Sequence, residues 1–190
     1  MRPLSAPGLI AALSLCLAGC SLSVSEPKTP AWPELQVSAG EQLMVVVVPG
    51  GGQALLKRVA RNGTVETWMS QDRYTLSLDR GVVVASRGFT FDMMGADAEE
   101  TLAALAAPQS DPYSRRLRYL NGNEQSIWIR TECEVSRVSD QRGPHLQESC
   151  RGFTETYQNL FWLDKAGKIF ASKQWISPEI GYLELYYRAN

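Results

Sequence analysis

The sequence predicts a mainly β protein: an antiparallel meander sheet, curved or barrel-like, with one or two short helices. Three observations predict it. Short apolar runs rich in β-branched residues recur from Gln42 onward. Gly, Asn and Asp separate one run from the next and supply the turns. Only one stretch carries its apolar residues at helical spacing.

In chain order, Leu43 to Val48 is a continuous apolar run, expected to be buried on both faces, and it ends at Pro49-Gly50-Gly51-Gly52. Ala54 to Arg61 and Val65 to Ser70 flank Asn62-Gly63, the strongest short hairpin signal. Arg73 to Leu78 and Val82 to Ser86 flank Asp79-Arg80-Gly81 in the same way. The helix is expected over Ala98 to Ala107, capped by Asp97, with Glu100 at capping-box spacing and Leu102 and Leu105 as its buried stripe. Pro108 and Pro112 end it, and it should cover one edge or face of the sheet.

Beyond it come Tyr113 to Leu120, the turn Asn121-Gly122-Asn123, and a long strand from Gln125 to Ser139. In that strand Ile127, Ile129, Thr131, Cys133 and Val135 share one face, and Trp128, Arg130, Glu132 and Glu134 take the other. A returning strand carries Cys150. A strand through Phe161-Trp162, the turn Asp164-Lys165-Ala166-Gly167, a strand from Lys168 to Trp175, the break Ser177-Pro178-Glu179 and a strand from Gly181 to Arg188 complete the meander.

The amino terminus has a different character. Arg2 precedes an apolar run from Gly8 to Ala18, followed by Leu17-Ala18-Gly19-Cys20. A run of about a dozen apolar residues is too short for a bilayer core, which takes about 20, but it suits a secretory signal. Residues 1–19 therefore read as a cleavable signal peptide ending in a lipobox. The small residues give the peptidase access, and Cys20 supplies the sulfur for a diacylglycerol thioether, so it is the expected lipidation site. Residue 21 is Ser and not Asp, which favours sorting to the periplasmic face of the outer membrane in a didermic host. Residues 20–36, with Pro27, Pro30 and Pro33 among polar residues, read as a lipidated start and an extended tether. One β-rich periplasmic domain is expected over 37–190.

With 19 basic and 20 acidic residues, loss of Arg2 leaves 18 minus 20, a mature charge of −2. Nothing in that balance selects nucleic acid. Of four cysteines, Cys16 leaves with the signal and Cys20 is modified. Cys133 and Cys150 remain, and an oxidising compartment favours their pairing, the alternative being two reduced buried thiols. Their spacing fits no zinc pattern, and the single His145 adds little to it. No cofactor or metal is expected.

The ending Ala166-Gly167-Lys168-Ile169-Phe170-Ala171-Ser172-Lys173-Gln174-Trp175-Ile176-Ser177-Pro178-Glu179-Ile180-Gly181-Tyr182-Leu183-Glu184-Leu185, with Cys133 and Cys150 before it, resembles the YjbF/GfcB family of exopolysaccharide and group 4 capsule lipoproteins. Gln-Trp-x-Ser-Pro-x-x-Gly-Tyr-Leu is its specific part, and a looser likeness runs from Met44. The resemblance implies a β-rich outer-membrane lipoprotein working with polysaccharide secretion or assembly proteins, with no catalytic motif to carry over. Physically, Pro178 fixes a bend, Gly181 permits a conformation other residues resist, and Trp175 and Tyr182 bury aromatic area.

The residues themselves argue weakly for catalysis. Gly50-Gly51-Gly52 lacks the Gly-Lys-Ser/Thr ending of a phosphate loop and precedes a strand. His145 lies in a polar Arg142-Gly143-Pro144-His145 loop, and no G-x-S-x-G motif exists. Glu99 with Glu100, Glu132 with Glu134, and Asp92 with Asp97 are formal carboxylate pairs for glycoside hydrolysis, more simply read as solvated. The better candidate is a contact surface for an acidic polysaccharide or a partner protein, made of Trp128, Arg130, Arg115, Arg116 and Arg118. The expected role is a non-catalytic, membrane-anchored component of exopolysaccharide or capsule production or export. A periplasmic glycan-acting enzyme and a general outer-membrane structural lipoprotein are the alternatives.

Overall fold

The computed structural model describes residues 42–108 and 111–187. The signal peptide, Cys20 and the proline-rich tether lie outside the described residues. Twelve strands form one antiparallel sheet. They are β1 (Leu43–Val47), β2 (Gln53–Asn62), β3 (Val65–Ser70), β4 (Thr75–Asp79), β5 (Val82–Arg87), β6 (Gly95–Ala96), β7 (Tyr113–Leu120), β8 (Ser126–Asp140), β9 (Gly143–Gly152), β10 (Thr156–Leu163), β11 (Ile169–Ser177) and β12 (Gly181–Tyr187). The helix α1 spans Glu99–Ala106, between β6 and β7.

Sequence neighbours pair at every step except β5–β6, and β1 pairs with β12, Val46 opposite Leu185. The two ends of the described chain therefore meet in mid-sheet. The ladder breaks only between β5 and β6, and even there Ser86 N donates to Met93 O at 2.9 Å. The sheet is thus a nearly closed barrel, which removes most of the edge an open sheet would expose. Every β-hairpin turn from the 63–64 turn to the 164–168 turn alternates between the two ends. Residues Gln42 and Tyr187 lie at the same end as α1.

Inside, the barrel is collapsed and filled. Met44, Leu56, Leu76, Val83, Tyr119, Cys133, Cys150, Ile176, Leu183 and Leu185 form the larger core cluster. Phe161, Leu146, Val135, Val82 and Ile169 join Ala104 and Leu105 of the helix in the second. The free edge of β5 lies against β11, where buried Gln174 acts as a surrogate strand. Its Oε1 accepts from Val83 N at 2.8 Å and its Nε2 donates to Gly81 O at 2.8 Å. Both edge groups are thereby satisfied inside the core, where an unpaired one costs about 1–3 kcal/mol. Gly81 has to be glycine at this contact. Its φ is +96°, and an added Cβ would come within 2.5 Å of the Tyr187 hydroxyl oxygen.

The helix differs from expectation in its cap. It starts at Glu99 with Ala98 as N-cap and has no side-chain cap hydrogen bond. Asp97 sits 3.0 Å from Arg116 Nη2 and reaches Glu99 N only at 3.4 Å. That hydrogen bond to Arg116 is the main reason its carboxyl stays below the usual aspartate value. As expected, α1 covers one face of the sheet, and that face is the inner one. Its buried Thr101, Ala104 and Leu105 seat it against the inner side of one barrel end.

Tyr113, Tyr119 and Tyr157 are pushed above the ordinary tyrosine range, chiefly by burial. A phenol whose folded pKa is raised adds stability in full below its unfolded value near 10, and that stability is lost as pH climbs toward the folded value. Denaturant midpoints are therefore expected to hold to about pH 10 and fall beyond it. Ionisation of these three tyrosines should appear together with unfolding; full tyrosine ionisation in a still-folded chain would contradict this.

Candidate functional site

The period of two along β7 decides what the expected surface patch contains. Arg116 and Arg118 point outward, whereas Arg115 alternates inward with Leu117 and Tyr119 and is 2% exposed. Arg115 is therefore not part of an exposed patch with Trp128, and its guanidinium serves the core. On the outer wall Arg118 pairs across the ladder with Trp128, and Arg116 with Arg130. The guanidinium carbons of Arg116 and Arg118 lie 5.4 and 5.6 Å from the centre of the Trp128 ring. Each such contact is worth about 0.5–1 kcal/mol at an exposed site. They hold the indole flat on the wall, and the ring remains 56% exposed. Glu132 and Glu134 continue this open, charged face.

A second feature has no local signature in the sequence. At the end of the barrel that carries α1, turns and strand ends enclose a groove of about 1190 Å³. Arg58, Arg61, Arg80, Arg137, Lys165 and Lys168 line it, opposed by Glu66 and Asp164. Leu102, Leu105 and Leu163 form part of its apolar wall. These residues are distant in sequence, so no window along the chain reveals their convergence. Their common signal is a basic residue in or beside several turns of one end.

Between groove and wall lies a buried polar cluster. Glu148, fully buried on β9, accepts from Arg115 Nη1 and Tyr113 Oη at 2.5 Å, from Asn159 Nδ2 at 2.5 Å and from Thr101 Oγ1 at 2.8 Å. Asn159 passes the chain on, its Oδ1 accepting from Trp175 N at 2.7 Å. Burial by itself disfavours the Arg115 charge, but Glu148 and the neighbouring tyrosines outweigh it and raise its pKa. This ion pair ties α1, β7, β9 and β10 together.

Cys133 and Cys150 face each other directly across β8 and β9 and are joined in a disulfide with Cα atoms 4.1 Å apart. Their sulfurs and a Glu148 oxygen lie within 4.8 Å of one another. That spacing would suit a metal only if the sulfurs were thiolates. Here they are bonded to each other and Glu148 is saturated with donors.

The residues raised for catalysis have structural roles. His145 is on β9 and not in a loop, 8% exposed, with its ring 4.8 Å from that of Trp162 and Nδ1 3.0 Å from Gly143 O. Asp92 accepts from Ser86 Oγ and the amides of Gly88 and Phe89. Glu99 and Glu100 occupy the exposed first turn of α1. Gly50 and Gly51 form the β1–β2 turn, each with positive φ. Trp175 and Tyr182 are half-buried and meet edge-on with ring centres 5.2 Å apart. Among the described residues, no helix is long and apolar enough to cross a membrane.

In class, the molecule is a large antiparallel strand barrel with a helix seated in one end. The chain belongs to the YjbF family, described as group 4 capsule polysaccharide lipoprotein GfcB, YjbF, whose model matches residues 13–187 and so takes in Cys20. Among solved structures it is similar to the hypothetical lipoprotein YmcC from Escherichia coli (K12), at 14% identity and a TM-score of 0.62, covering 80% of this chain and 85% of that one. That likeness concerns the fold. No curated protein matches the sequence.

Proposed function

We propose that the chain is a non-catalytic lipoprotein of capsule or exopolysaccharide production or export, held by acyl chains on Cys20 at the periplasmic face of the outer membrane. It works by presenting its barrel wall to an acidic polymer or to a protein of the export machinery. The observation that carries the reading is the setting of Trp128. It lies with Arg116, Arg118 and Arg130 on an open sheet face, 56% exposed, and is not among the residues that line the end groove. A hydrolase needs two carboxyls across a bound sugar. The two carboxylates of the end groove have other partners: Glu66 takes Arg58 at 2.6 Å, and Asp164 caps its own turn at Ala166 N and Lys168 N. An indole flanked by guanidiniums suits stacking on sugar rings and attraction to acidic groups.

Complementation of a deletion strain tests this. Surface polysaccharide should be lost on deletion and restored by the native chain. Cys20→Ala should restore little and move the protein to the soluble fraction, and Trp128→Ala should restore partially while leaving the protein in the membrane. Polysaccharide display unchanged by deletion would overturn the role, and membrane retention of Cys20→Ala would overturn the anchor.

A further inference from the structure

The cationic groove has a definite position relative to the anchor. Gln42, where the described chain begins, lines the groove. The chain leading back to Cys20 thus leaves from this end of the barrel. Residues 21–41 intervene, an extended reach of roughly 65 Å at about 3.1 Å per residue. A tether that long leaves the domain's orientation open but keeps the bilayer at high effective concentration.

Charge at the mouth is unbalanced although the mature chain is net acidic. Arg58 is paired with Glu66, and Arg80 with Asp79 at 3.2 Å. Arg137, Lys165 and Lys168 have no ion pair among the described residues, and Arg61 bonds only the Gly63 carbonyl at 3.1 Å. Four cations from three segments, β2, β8 and the β10–β11 turn, are thus left facing one opening. We propose that this end of the barrel docks on the anionic phospholipid headgroups of the bilayer that holds Cys20, with lipid phosphates entering the cationic mouth. The geometry rests on the lipid-anchor reading above, and it leaves the β7–β8 wall facing away along the bilayer, open to polymer or partner.

The native lipoprotein in nanodiscs tests the two readings separately. A dye is placed at the groove by Thr64→Cys or at the opposite end by Asn123→Cys, and quenched from headgroup-labelled lipid. Retention in neutral phosphatidylcholine discs reports the anchor alone. With phosphatidylglycerol added, the Thr64 position should be quenched and the Asn123 position should not, and salt should reverse the effect. A basic residue near an anionic surface is worth about 1 kcal/mol, about fivefold, so Lys165→Gln with Lys168→Gln should lower the docked-to-undocked ratio about 25-fold. Arg73→Gln with Arg151→Gln, the same charge change at the far end, should leave it unaltered. Equal loss from both pairs, or no quenching at Thr64 in anionic discs, would overturn the proposal. So would protection of Thr64 only on adding polygalacturonate, which would make the groove a glycan site.

Discussion

Glu148→Ala is expected to destabilise the fold by about 3–5 kcal/mol, the range for breaking a buried ion pair by removing one partner. The loss is large because the carboxylate is not merely opposite a charge. It is the common acceptor for a guanidinium, a phenol, an amide and a hydroxyl, and its removal leaves all four inside the core. Urea unfolding of the oxidised protein should show the midpoint falling with little change in slope. A loss below about 1 kcal/mol would mean that water reaches the cluster and replaces the carboxylate. Replacing both partners, Arg115→Met with Glu148→Leu, should return most of the stability, since apolar side chains of similar size avoid the desolvation cost. The double variant should still differ in one respect. Thr101 would have no carboxylate to engage, so amide exchange in α1 should quicken even where the global midpoint recovers. The cluster then sets where the helix sits, and packing supplies most of the energy.

The same cluster shows which parts of the structure could be read in advance. Strand positions were legible because turn chemistry and the period of two are local signals. Val65–Ser70 and Tyr113–Leu120 fall where Asn62-Gly63 and Asn121-Gly122-Asn123 place them. Grouping Arg115, Arg116 and Arg118 by charge alone puts Arg115 on the wrong face. The alternation Arg115, Leu117, Tyr119 already put it inward, and Leu146, Glu148, Cys150 did the same for its partner. Other features had no local signal. Gly95–Ala96 is a strand only because β7 and the β5 edge flank it. The β1–β12 pairing, the Gln174 edge contact and the groove each join residues far apart in sequence. Such contacts depend on closure of the whole sheet, which no window along the chain contains.

Replacing both Cys133 and Cys150 by alanine is expected to cost roughly 3 kcal/mol, the chain-entropy value for a loop of about this length. The separation is 17 residues, and the two strands it joins remain paired from Thr131–Gly152 to Asp140–Gly143. The ladder needs no covalent help to form in the folded state, so the bond acts mainly by restricting the unfolded chain. Two consequences separate this from a local packing effect. The unfolding slope should rise, because an uncrosslinked chain exposes more surface when it unfolds. Both cysteines are 1% exposed, so reductant should attack slowly in buffer and much faster once urea opens the sheet. Intact mass should increase by about two hydrogens on reduction, the difference between a disulfide and two thiols. Rapid reduction of the native protein would place the sulfurs at a site that opens without global unfolding. A stability change near zero would mean that the unfolded chain keeps the β8–β9 hairpin, so that the bond restricts nothing already free.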